Sequence, residues 1–356
     1  MIHSIKDRQN HCKPVAKKTN RWCLSSGFHE YQAEITQHIQ KLEQTTQPNS
    51  RMIATQPEIS WESRSMLIDF LIDNHLTLNL SDETLYLAVN VIDRYLSKRV
   101  VKMHHFQLFG STALWIASKY VDRKRKVPDL KELSSMCDGA YTNNMFKQME
   151  VHILNSLKWN LSHPTFDLLV DICLEGNAYV RLNLPLLKRL ALYLCEVTMY
   201  HKEFIDIRSS QIVALALNLA KHIVYETEYS TGENTYEEDI QRLLLNFSFK
   251  PSEYLKQRYH RLEFGNLYCY IKMYQQRENT KARLQELREQ GMSQTKFRLS
   301  SPPPTDEEER SDRYDVDGTM GSGEKKKKDL TLVSKIKANG PLWEVAVYDL
   351  PMLCLR

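Results

Sequence analysis

The sequence predicts an all-α fold. Three observations lead there: glycine is scarce, prolines sit between helical patterns, and apolar residues recur at helical spacing. Glycine accounts for 11 of 356 residues, about 3% against the usual ~7%. Only five of them lie between Phe28 and Gln290. A β-sandwich, a dinucleotide-binding sheet or a phosphate-loop enzyme of this length turns more often and uses more glycine. Pro57, Pro128, Pro164, Pro185 and Pro251 fall in the gaps between helical patterns, where the missing N–H costs little. Residues 58–127 contain no proline. The length allows one large domain or two of ordinary size, and 42% hydrophobic with 26% charged residues is ordinary globular composition.

In chain order, residues 1–27 read as a flexible basic arm. Six Lys/Arg and a single acid, Asp7, fall within residues 1–26, without periodicity. The helices start from about residue 28. In Ser81–Lys98, Leu85, Val89, Ile92 and Leu96 lie at i, i+4, i+7 and i+11, one stripe of an α-helix. Ser81 suits an N-cap, and Asp82 and Glu83 complement the first-turn dipole. His104–Asp122 is apolar nearly all round and carries Gly110, Ser111, Ala113, Ala117 and Ser118, so this helix is expected at the centre of a bundle with close neighbours. Tyr141–Trp159 reads as another long helix. After His163–Pro164 the pattern restarts, with helices expected near 164–174, 184–201, 208–225, 236–247 and 251–290. Two blocks of about five helices joined near residue 162 suggest a tandem arrangement. From Gly291 onward, Pro, Ser, Glu and Lys dominate, which predicts a disordered tail. Leu342–Leu355 is apolar again and reads as a short docking segment without an assigned role.

The charge is only +4 and its basic excess lies in the arm, which argues against nucleic-acid binding by the folded part. Seven cysteines stand at 12, 23, 137, 173, 195, 269 and 354; none forms a C-x-x-C pair, so neither a zinc ribbon nor a disulfide framework is expected. There is no secretory leader pattern and no apolar run of ~18 residues, so an intracellular, soluble chain without a membrane partner is expected. No HExxH, G-x-S-x-G or G-x-x-x-x-G-K-[ST] occurs. Asp315-Val-Asp317-Gly318 lacks the remaining ligands of a calcium loop, and His104-His105 reads as a surface pair at a helix start. No catalytic residue, metal or cofactor is expected.

Four charges do stand out within apolar helical runs: Arg64, Asp93, Lys119 and Glu150. An isolated buried charge is costly, so each is expected to be paired or to face a partner. Spacing alone leaves both readings open: internal salt bridges that fix helix register, or an interface.

SRSMLIDFLIDNH (Ser63–His75), AVNVIDRYLS (Ala88–Ser97), LFGSTALWIASKYVD (Leu108–Asp122) and FKQMEVHILNSLKWNLSHPT (Phe146–Thr165) together resemble the consecutive helices of a cyclin box. The resemblance is strong over 55–165 and weaker over 166–290. It is closest to fungal G1/S-specific, Cln-type cyclins, with B-type mitotic cyclins the near alternative. It implies tandem cyclin folds of five helices each: an N-terminal cyclin box over 28–162, a C-terminal cyclin-like domain over 163–290 and a regulatory tail over 291–356. Arg64 and Asp93 match the family's ion pair between the first two helices of the box. Lys119 and Glu150 match residues that contact the kinase beside its regulatory helix, Tyr120 matches an aromatic that packs on that helix, and Leu108 and Ala117 match core positions.

The resemblance also implies a substrate-docking patch for short peptides at Met66, Leu67, Phe70, Asp73, Phe106 and Gln107. Met66, Phe70 and Asp73 fall at i, i+4 and i+7. Phe70 stands where the family has tryptophan and Ser63 where it has methionine, so ordinary core packing stays open for this stripe. In the tail, Ser301-Pro302 is a minimal proline-directed phosphorylation site and Thr305-Asp-Glu-Glu-Glu an acid-directed one. Both resemble the tails of short-lived G1 cyclins that a ubiquitin-ligase receptor reads once phosphorylated. Lys325–Lys328 reads as an import signal or a solvated charge run. The implied function is a nuclear and cytoplasmic regulatory subunit, not itself an enzyme, that pairs with a cyclin-dependent Ser/Thr kinase at cell-cycle entry. A cyclin of transcription kinases and a DNA-binding initiation factor with tandem cyclin folds are the remaining alternatives.

Overall fold

The structure, a computed structural model, describes residues 30–175, 184–225, 235–260 and 267–299. The basic arm over 1–27, Ser301, Thr305, the Lys325–Lys328 run and the Leu342–Leu355 segment lie outside the described residues. Every regular element described is helical: α1 Gln32–Thr46, α2 Ser50–Ile53, α3 Trp61–Thr77, α4 Asp82–Leu96, α5 Phe106–Val121, α6 Leu130–Met136, α7 Asn143–Ser156, α8 Phe166–Glu175, α9 Leu184–Met199, α10 Ser209–Tyr225, α11 Thr235–Ser248, α12 Glu253–His260 and α13 Leu267–Leu299. By its contacts the chain divides within α1, at Lys41–Leu42. Residues 32–41 are the N-terminal part of that helix, and both helical bundles belong to the unit that starts at Leu42.

Helix α5 is the centre of the first bundle and packs against α3, α4 and α7. Twelve of its residues from Phe106 to Ser118 are buried, as its lack of a polar face dictates. Gly110 is where α3 crosses closely: a Cβ there would sit 2.5 Å from Leu67 Cδ1. The small hydroxyls are absorbed locally. Thr112 Oγ1 donates to the Leu108 carbonyl at 2.7 Å, and Ser118 Oγ to that of Trp115 at 2.8 Å. A second cluster forms where α6 and α7 meet α5, with Leu108, Trp115, Leu133, Cys137 and Phe146 at its heart. Asp129 starts α6 with a capping box, accepting from the Lys131 and Glu132 amides while Glu132 accepts from the Asp129 amide.

In the second bundle α9 and α10 form the central pair, flanked by α8 and α11. The two bundles meet where α3 packs on α12 and α4 on α8.

Several element boundaries differ from the sequence expectation. Where one helix is expected over 251–290, the described residues form α12 and α13, with 261–266 outside the described residues. Helix α13 continues past Gly291 to Leu299, so the described fold reaches into the segment assigned to the tail. One glycine costs a helix only ~1 kcal/mol, and the residues after it are not helix breakers. A 3₁₀ turn over Met103–His105 precedes α5. Ser81 occupies the N-cap of α4 but makes no side-chain cap bond. Its hydroxyl pairs with Thr84 Oγ1 at 2.9 Å instead, and Asp122 accepts from the Ser81 amide at 3.1 Å and the Thr84 hydroxyl at 2.6 Å. The end of α5 therefore clamps the start of α4.

Candidate functional site

Helices α5 and α7 lie side by side and end in a charged and aromatic face. Lys119, in the last turn of α5, lies over the Trp115 ring with Nζ 3.4 Å from its centroid and bonds to the Glu150 carboxylate of α7. Trp115 is fixed in turn by its indole N–H, which donates to the Pro128 carbonyl at 3.1 Å. The ammonium is thus held from below by a π-face and from the side by a carboxylate. The pair is open to solvent, with Lys119 36% and Glu150 19% exposed. Tyr120, next in the chain, is 55% exposed.

Two further apolar side chains on α7 and its exit are exposed, Val151 and Trp159, the latter at 65%. Lys158 and Trp159 both have left-handed backbone, at φ 55° and 58°. This closes the helix: the Trp159 amide returns to the Leu154 carbonyl at 2.9 Å, a Schellman-type bond. The Trp159 indole N–H donates to Asn155 Oδ1 at 3.0 Å. Trp159 thus holds a conformation disfavoured for side-chain-bearing residues, with its ring left in water. The sequence reading passed over it, because a left-handed exit is invisible in residue order alone.

Arg64 and Asp93 lie elsewhere, sealed between α3 and α4. The guanidinium donates to both carboxylate oxygens at 2.7 Å from Nε and Nη2, and Nη1 donates to the Met199 carbonyl at the end of α9 at 2.6 Å. This pair therefore joins the two helices of the first bundle and also ties them to the second. Of the expected docking patch, Leu67 and Phe106 are each only 5% exposed. They are core residues, Leu67 against Gly110 and Phe106 6.3 Å from the Phe109 ring, and this corrects their placement on a surface. Phe70 and Gln107 are half-buried, Phe70 packing on the Leu108–Phe146 cluster, while Met66 and Asp73 are exposed. The accessible part of the patch is thus Met66, Phe70, Asp73 and Gln107.

A sequence model of the cyclin N-terminal domain matches residues 34–162, the stretch holding both the exposed Lys119–Glu150 pair and the sealed Arg64–Asp93 pair. The chain belongs to the cyclin family. It is 37% identical over 257 residues to the G1/S-specific cyclin CCN1 of Candida albicans, 67% of this chain and 37% of that one. It is 38% identical over 206 residues to the G1/S-specific cyclin CLN2 of the same species, 55% of this chain and 44% of that one. The G2/mitotic-specific cyclin-B of Emericella nidulans is 34% identical over 230 residues, 62% of this chain and 47% of that one. These alignments thus span less than half of each relative's length. The X-ray structure of a viral cyclin from herpesvirus saimiri superposes with a TM-score of 0.48 at 18% identity, over 63% of this chain and 96% of that one.

Between the two bundles of this cyclin lies a second buried charge cluster that the sequence reading missed. Arg258 of α12 donates from Nε to Glu196 Oε2 at 2.9 Å and from Nη2 to Asp82 Oδ1 at 2.8 Å, and its Nη1 lies 3.1 Å from His75 Nδ1. Tyr86 O–H donates to Glu196 Oε1 at 2.6 Å. Burial opposes charge on Arg258, yet Glu196 and Asp82 hold it firmly protonated. Burial, followed by the Arg258 charge, lowers His75 to about 4, so the imidazole is neutral at pH 7. The signal was present in part: Glu196 stands within the apolar run Leu190–Val197, just as Asp93 stands within its own. Among the described residues no group of three or more His, Cys, Asp or Glu side chains is arranged to hold a metal, and no helix is long and apolar enough to cross a membrane.

Proposed function

We propose that this cyclin is the regulatory subunit of a cyclin-dependent Ser/Thr kinase acting at the G1/S transition. Lys119, Tyr120 and Glu150 would form its kinase-binding face, extended by Val151 and Trp159. The observation that carries this reading is the Lys119–Glu150 pair: two charges bonded to each other, Lys119 also held over Trp115, with both still reachable by solvent. A pair needed only for helix register gains nothing from this setting, since exposed pairs contribute ~0–1 kcal/mol. As a preset donor–acceptor couple with the exposed Tyr120 next in the chain, it can exchange hydrogen bonds with a partner helix while the tyrosine ring is buried.

The mechanism needs no catalytic group on the cyclin. Kinase catalysis requires a strand lysine paired with a helix glutamate and an ordered activation loop. A partner that binds only the arrangement with the helix in place shifts the kinase toward it. Moving such an equilibrium from 1:99 to 99:1 takes ~5.5 kcal/mol of differential affinity, within reach of an interface anchored by two aromatics. Substrates are proposed to dock at Met66, Phe70, Asp73 and Gln107, where the Asp73 carboxylate suits a basic peptide residue. Phosphorylated Ser301 and Thr305 are proposed as marks for a ubiquitin-ligase receptor. The complex is proposed to work in the nucleus and cytoplasm.

Lys119→Ala with Glu150→Ala tests the reading: kinase co-purification and histone phosphorylation should fall at least about tenfold, the equivalent of ~1.4 kcal/mol, with the fold intact. Unchanged co-purification would remove this face from the interface. The similarity to G2/mitotic cyclins favours a second reading, action at mitosis. Depleting the protein from synchronised cells separates the two: arrest before replication supports the first, arrest after it the second.

A further inference from the structure

Helix α13 carries two faces. Leu267, Ile271 and Tyr274 are buried, and their i, i+4, i+7 spacing sets them on the side that packs on α10 and α12. Among the described side chains of this helix, the large apolar ones that remain exposed are Tyr270, Met273, Leu284 and Leu287. All four fall in one 3–4 alternation, 270, 273, 277, 280, 284, 287, with Arg277 and Thr280 at the two central positions. Scattered surface hydrophobes would not share a single seam; this one has the spacing of a helix that lies against a partner. The flanks of the seam are basic: Lys281 and Arg288 on one side and Arg283 on the other, all exposed.

Those flanks disfavour a parallel pairing with a second copy. In a parallel pair Arg283 of one chain faces Arg288 of the other, and like charges at these positions destabilise the pairing. The occupant must be apolar and acidic. The chain itself contains such a segment. Residues 342–350, Leu-Trp-Glu-Val-Ala-Val-Tyr-Asp-Leu, carry Glu344 and Asp349, contain no basic residue and are bracketed by Pro341 and Pro351. Length permits the return. Forty-one residues, 300–340, separate Leu299 from Pro341, a maximal reach of ~140 Å, whereas the seam lies only ~18 to ~44 Å back along the helix from Leu299.

We propose that residues 342–350 dock on the Tyr270–Leu287 seam of α13, with Glu344 and Asp349 beside Lys281, Arg283 and Arg288. Seated there, the segment closes the seam to any other helix and loops the phosphoacceptor region, residues 300–340, back toward the second bundle.

The test uses the full chain with a photo-crosslinking phenylalanine analogue at Met273. The expected result is an intramolecular product, at monomer mass, mapping to 342–350. Glu344→Arg with Asp349→Arg should lower its yield about three- to tenfold, the effect of losing two exposed charge pairs. Adding Arg283→Glu and Arg288→Glu should restore it. Products at twice the monomer mass, products mapping outside 342–350, or a yield unchanged by the charge reversal would each overturn the proposal.

Discussion

Arg64–Asp93 and Lys119–Glu150 are the same chemistry in two places. Each couples a cationic side chain on one helix of the first bundle to a carboxylate on another. The first pair is 2% and 7% exposed, the second 36% and 19%. In the sealed pair every guanidinium nitrogen has an acceptor and nothing remains for a partner, so its whole effect is on the fold. In the open pair water already competes for both charges; loss of the pair barely disturbs the fold, and its donors stay available to another molecule. Burial, more than residue type, separates a charge committed to the fold from one that solvent still reaches. The Arg258 cluster spans both conditions, with Glu196 completely buried and Asp82 34% exposed.

The largest effect is expected at that cluster. Arg258→Met leaves the fully buried Glu196 carboxylate without its cation, and the midpoint in urea should drop by the equivalent of ~3–5 kcal/mol. A loss below ~1 kcal/mol would place the cluster with the open pair. Arg64→Met should cost a similar ~3–5 kcal/mol by leaving Asp93 alone. Adding Asp93→Leu should recover part of that loss, because two apolar groups replace a stranded charge. An additive double variant would break the comparison.

A third expectation concerns acid. His75 has a folded value of about 4, below the ~6.5 of an unfolded histidine. The unfolded chain therefore binds more protons between those values, and stability falls as pH drops from ~6.5 toward 4. The expected loss is on the order of 3 kcal/mol. His75→Gln should flatten this slope in urea titrations across that window. The smallest effect on stability belongs to Lys119→Ala with Glu150→Ala, within ~1 kcal/mol; a larger drop in thermal midpoint would mark this pair as structural too.

The helical character of the chain was legible because it rests on composition and period. Helix α5 could be read as central from its apolar circumference alone. Arg64, Asp93, Lys119 and Glu150 could be picked out because each interrupts an apolar run. The same criterion could not say which pair would be sealed, since that depends on α9 arriving with the Met199 carbonyl. Arg258 was hidden for the opposite reason. Its neighbours Lys256, His260 and Arg261 are polar, so nothing in the local pattern sets it apart. Leu67 and Phe106 entered the docking patch through the family resemblance, which does not tell how deeply a neighbouring helix covers each side chain; both are buried.

The bond from Arg64 to the Met199 carbonyl has an engineering corollary. A chimera that grafts the first bundle of this cyclin onto the second bundle of another must present a free main-chain oxygen at that spot, along with a cation able to reach Asp82. Matching the greasy contours of the two halves is not enough. The junction reads as a keyed connector, and a donor half without the right teeth leaves a charge in the dark.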